Sequence, residues 1–113
     1  MSPSPVVEYA VHGVWSHRLG VDVVAGLRAR FADAPAAVII DLHGMTDDDA
    51  ASLPLWLAAR RAAAAIRPTV PLALCMPATT VLETRLRRIG AERLPIFTTM
   101  PEARAAMAAR IPA

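Results

Sequence analysis

Residues 36–57 read Ala36-Ala-Val-Ile-Ile-Asp-Leu-His-Gly-Met-Thr-Asp-Asp-Asp-Ala-Ala-Ser-Leu-Pro-Leu-Trp-Leu57, and this stretch decides the fold. It opens on Val38-Ile39-Ile40, an apolar run bounded by turn signals, the pattern of a strand covered on both faces. Gly44 breaks the strand, three aspartates follow, and an alanine-rich helix is predicted from about Leu53 to Ile66, closed by Arg67-Pro68. A strand that runs through an acidic loop into a helix start gathers unpaired backbone N–H groups and a positive dipole end at one point. The rest of the chain reads as scaffold for that corner.

Upstream, Val6–Val11 is β-prone and Gly13 precedes a second short strand, Val14-Trp-Ser-His17, so a hairpin or two edge strands are expected. Gly20–Ala32 has helical spacing in Val21, Val24, Ala25, Leu27 and Phe31, and Asp33-Ala-Pro35 stops it. Downstream, Val70–Met76 is another buried strand, closed by Pro77. Thr79–Ile89 reads as a helix with Leu82, Leu86 and Ile89 inward, Arg85, Arg87 and Arg88 outward, and Gly90 just past its end. Leu94–Thr98 is a short edge strand, and Pro101–Arg110 a final helix. The order β-β-α-β-α-β-α-β-α predicts a layered α/β fold with a mixed, mostly parallel sheet and about four helices. One domain is expected over residues 1–113, with residues 1–4 a loose proline-punctuated tail.

Composition narrows the function. Aromatics are 4% against 55% hydrophobic residues, so the core has to be aliphatic and its helices closely packed. All twelve basic residues are arginines, but ten acids leave a net charge of only +2. That argues against nucleic-acid binding, which calls for a clustered basic face with stacking aromatics. The single cysteine, Cys75, excludes an intrachain disulfide and a cysteine-cluster metal site, and reads as a small core hydrophobe in a reducing compartment. Neither a signal peptide nor an apolar run of ~20 residues is visible, so a soluble, cytoplasmic protein without membrane insertion is expected.

The pattern resembles the STAS domain, the fold of bacterial anti-sigma factor antagonists (anti-anti-sigma factors) and of sulfate-transporter tails. Val38-Ile-Ile-Asp-Leu-His-Gly-Met-Thr-Asp-Asp-Asp49 is similar to that family's strand and D-L-S-G-V-T-x-x-D-S-S-G loop. Leu86-Arg-Arg-Ile-Gly-Ala-Glu-Arg-Leu-Pro-Ile-Phe97 looks like its L-x-x-x-G-L-D-x-x-x-x-F ending, and Pro101-Glu-Ala-Arg-Ala-Ala like its closing helix. The resemblance implies a non-enzymatic regulator in bacterial signal transduction and transcription regulation. Such a protein docks on a kinase-like anti-sigma factor, which releases sigma and switches its antagonist off by phosphorylating the serine after the loop aspartate. Here Asp49 keeps the acid, but the serines become Ala50 and Ala51 and the glycine becomes Ser52. The usual phosphoacceptor position, Ala50, has no hydroxyl. An accessory subunit of an ABC transporter ATPase or of a larger scaffold is the alternative, and a homodimer stays open.

Site expectations follow. Ser52 is a displaced phosphoacceptor candidate, but Pro54 confines the helix start to about Leu53 and makes Ser52 the N-cap. Asp47, Asp48 and Asp49 read as charge favourable to a helix start or as fixed acid where relatives acquire phosphate. The wheel of the following helix puts Leu55, Ala58, Ala59, Ala62 and Ile66 on the core side. Leu53, Trp56 and Leu57 then fall beside Arg60 and Arg61 as a protein-binding patch, unless Trp56 folds over a neighbouring helix. Partner contact is predicted over Thr46–Arg60. No metal and no cofactor is expected: His12, His17 and His43 lack ligand spacing, no phosphate-binding glycine motif occurs, and Asp41 is expected to orient the loop backbone.

Overall fold

The computed structural model describes residues 5–90 and 94–110. The expected tail at residues 1–4, and Ala91-Glu-Arg93 within the quoted ending, lie outside them. The elements are β1 (Val6–Ala10), β2 (Gly13–Val14), α1 (His17–Ala32), β3 (Ala37–Asp41), β4 (Met45–Thr46), α2 (Leu53–Ala65), β5 (Leu72–Cys75), α3 (Val81–Gly90), β6 (Ile96–Phe97) and α4 (Met100–Ala109). The main sheet runs β1-β3-β5-β6, and β2 with β4 makes a second, two-stranded sheet. Every ladder among the described residues is parallel.

The apolar run behaves as its pattern demands. Ala37, Val38, Ile39 and Ile40 are completely buried because β3 lies in the middle of the sheet with helices on both sides. Alternation along β3 and β5 then divides the core. Val38, Ile40, Leu72 and Leu74 meet α1, α2 and α3, whereas Ile39, Ala73 and Cys75 meet Ala103 and Met107 of α4. A bidentate ion pair between Glu8 and Arg104, at 2.6 and 2.8 Å, ties α4 back to β1.

Two sequence expectations need correction, and one pair of alternatives is decided. Of the two alternatives for the first strands, edge strands are found and not a hairpin: β1 lies at the edge of the main sheet, and β2 pairs with β4 in the other. The second strand stops at Val14 because Ser16 caps α1: its hydroxyl accepts the Leu19 N–H at 3.1 Å, and the helix begins at His17. Ile89 is exposed rather than inward, while Leu82 and Leu86 are buried as expected. The inward stripe of α3 is completed instead by Glu83, which ion-pairs with Arg87.

Candidate functional site

The corner between β4 and α2 is built around Asp47. One carboxylate oxygen accepts the Ala51 N–H at 2.9 Å, and the other accepts the Ser52 N–H at 2.9 Å. The Ser52 hydroxyl donates to the same second oxygen at 2.5 Å. A loop entering a helix leaves such donors without backbone partners, and an acidic side chain suits both the donors and the dipole. Asp47 therefore does the capping.

This revises the role expected for Ser52. Ser52 does occupy the position before Leu53, but with helical backbone angles and no hydrogen bond from its side chain to a helix N–H. Its hydroxyl is claimed from both sides, giving to Asp47 and accepting the Trp56 indole N–H at 2.8 Å. Ser52 is completely buried. Ala50, at the phosphoacceptor position of the resembled family, is also buried and holds a left-handed backbone with φ of 56°.

Trp56 is the second correction. It is completely buried, packed at 6.1 Å against the Trp15 ring, and does not form an exposed patch. The buried stripe is Ser52, Trp56, Ala59 and Ala63. Of the expected face, Ala59 is buried and Leu55 and Ile66 are half-buried against the core, whereas Ala58 and Ala62 are exposed. The reason is volume: filling the space over β3 takes an indole, and Ser52 supplies its N–H with a partner one turn earlier. Leu53 and Leu57 are half-buried against the core, and with half-buried Arg60 they share one stripe of α2.

What the corner offers to solvent is acid. Asp48 and Asp49 are exposed, as is Thr46, and the Asp49 carbonyl accepts a hydrogen bond from Arg85 at 3.3 Å. Beside them opens a cavity of about 450 Å³ floored by Leu42, Met45, Met76 and Leu82, with Thr46, Asp47, Asp48, Thr79 and Thr80 on its rim. The three aspartates thus divide: Asp47 is internal structure, while Asp48 and Asp49 are free surface charge. Asp41 orients the preceding loop as expected, accepting the His43 N–H at 3.0 Å. Burial would raise the Asp41 carboxyl, but hydrogen bonds from the His43 backbone and ring outweigh it and hold the group below its ordinary value.

Sequence reasoning missed the Ser52–Trp56 hydrogen bond, although their i, i+4 spacing carried it. It also missed a cluster of Asp41, His43 and Cys75 that has no signature in sequence spacing.

No family model matches the sequence, and no curated protein matches it. A solved structure does: an anti-sigma factor antagonist from Mycobacterium paratuberculosis superposes with a TM-score of 0.76 at 16% identity. The likeness covers 96% of this chain and 90% of that one. The chain therefore has the fold of an anti-sigma factor antagonist, the STAS-type α/β fold that its sequence pattern resembles.

Proposed function

We propose that this chain is a non-enzymatic, protein-binding regulatory module that acts as an anti-sigma factor antagonist toward a kinase-like anti-sigma factor. The docking surface is the β4–loop–α2 corner. Thr46, Asp48 and Asp49 present polar and acidic contacts, Leu53, Leu57 and Arg60 flank them, and Asp47, Ser52 and Trp56 hold the corner rigid from within. A stable contact of this kind covers about 800 Å² on each partner.

One observation carries the regulatory half of this reading: neither switch position at the corner has a hydroxyl within reach of a kinase. Position 50 is a buried alanine, and the Ser52 hydroxyl lies buried between Asp47 and Trp56. Binding is therefore constitutive, set by abundance rather than by phosphorylation, and the exposed carboxylates of Asp48 and Asp49 provide permanent charge. The test is capture of partners from native lysate on the immobilised chain. Recovery of a kinase-fold protein supports the reading. Recovery of a transporter ATPase in its place would move the assignment to an accessory subunit.

A further inference from the structure

We propose that Asp41, His43 and Cys75 form a three-ligand site for a zinc-class divalent cation, with the fourth coordination position open to solvent. Asp41 and Cys75 end two adjacent parallel strands and are register partners, so their side chains leave the sheet side by side on the α4 face. The carboxyl ends of parallel strands are where α/β sheets assemble ligand sites. His43, two residues beyond Asp41, brings Nδ1 to 2.7 Å from Asp41 Oδ1 and 3.8 Å from Cys75 Sγ. One donor atom from each of the three residues lies within 4.8 Å of the other two.

The far side of the imidazole supplies an independent observation. His43 Nε2 lies 2.9 Å from the Thr98 carbonyl oxygen, which can only accept, so Nε2 carries the hydrogen. Asp41 Oδ1, 2.7 Å from Nδ1, also only accepts, so without a cation Nδ1 donates to Asp41. A cation that displaces this proton meets the Nδ1 lone pair between Asp41 and Cys75. A backbone carbonyl that fixes the tautomer and angle of the ring is the usual support of a metal-bound histidine.

The donor set selects the ion. Calcium and magnesium take oxygen ligands, whereas thiolate, imidazole and carboxylate together suit zinc. Zinc bonds of about 2.3 Å to sulfur and about 2.0 Å to nitrogen fit a tetrahedral edge close to the His43–Cys75 separation. The cation replaces the Asp41–His43 hydrogen bond: the Nδ1 proton leaves to solvent as the metal–nitrogen bond forms, and the Cys75 thiol proton leaves as the metal–sulfur bond forms. Without a cation the trio is poorly suited to nucleophilic chemistry, because burial and then the Asp41 charge push the Cys75 thiol up to about 11. Asp41 and His43 are 27% and 38% exposed, which leaves a path for entry, while Cys75 closes the inner side. This site lies on the α4 face, away from the acidic loop, and does not rest on the partner-binding reading.

Titration of the full chain with Co²⁺, followed by absorption spectroscopy, tests the site. The expected result is one equivalent bound, with a thiolate-to-cobalt charge-transfer band and tetrahedral d–d bands, all bleached by Zn²⁺. Cys75→Ser abolishes the charge-transfer band, and His43→Ala, at an exposed position that leaves the core intact, weakens binding roughly a hundredfold or more. Absence of the charge-transfer band in the wild-type chain, its survival in Cys75→Ser, or unchanged affinity in His43→Ala would overturn the proposal.

Discussion

Trp56 donates its indole N–H to the Ser52 hydroxyl at 2.8 Å, one helical turn earlier, and both residues are completely buried. Because the same hydroxyl donates onward to Asp47, three side chains link the inside of α2 to the acidic loop. The residue best placed by sequence for modification is thus an internal strut.

Ser52→Ala removes that strut. It leaves the Trp56 indole N–H without a partner and costs Asp47 one of its three hydrogen bonds. An orphaned buried donor costs about 1–3 kcal/mol, so a loss of that size in urea denaturation is expected. A stability change near zero would show that the hydroxyl is not engaged.

Trp56→Ala tests a different placement. A docking tryptophan would leave stability intact when truncated, but a core tryptophan leaves a cavity, and about 3–5 kcal/mol of stability is lost. The unfolding midpoint distinguishes the two directly. Trp56→Phe keeps most of the packing against Trp15 and loses mainly the indole hydrogen bond, so its cost is smaller, about 1–2 kcal/mol.

Acid stability reports on the tie between β1 and α4. The hydrogen bond from Arg104 holds the Glu8 carboxyl below its ordinary value of 4.5, more than offsetting a small opposing effect of burial. A carboxyl depressed in the folded state contributes stability that is present above its unfolded value and lost as pH falls through its folded value. Glu8→Gln is therefore expected to flatten the acid limb of the stability curve below about pH 4.5 without altering its shape at neutral pH. An unchanged acid limb would mean that the pair is not maintained in solution.

Much of this was legible in the sequence, for physical reasons that also mark where legibility stops. Val38-Ile39-Ile40 had to be a central strand, because no half-exposed element tolerates three consecutive branched apolar residues, and the α/β layering followed from it. β4 is two residues long, and its pairing with β2 depends on chain geometry that no local pattern carries. On α2 the many alanines blurred the wheel: Ala58, Ala59, Ala62 and Ala63 are equally apolar, so the stripe was fixed by the one large residue, Trp56, and by the hydroxyl that satisfies its N–H. The acidic corner was visible, but its division into an internal Asp47 and exposed Asp48 and Asp49 was not, since adjacent carboxylates differ only in which backbone donors they meet. The Asp41–His43–Cys75 cluster needed the β3–β5 register, which joins residues far apart in the chain.

The central claim is that this corner binds a kinase-fold partner through fixed charge and is not switched by phosphate. The most direct measurement is capture from native lysate on the wild-type chain and on an Asp48→Arg/Asp49→Arg variant, each with and without added ATP, followed by intact-mass analysis of the bait. The account predicts that a kinase-fold protein is recovered equally with and without ATP. It also predicts that the charge-reversed variant associates roughly tenfold or more slowly and that the bait gains no phosphate. Release of the partner on ATP addition with a phosphate-sized mass gain, or equal capture by the charge-reversed variant, would contradict it.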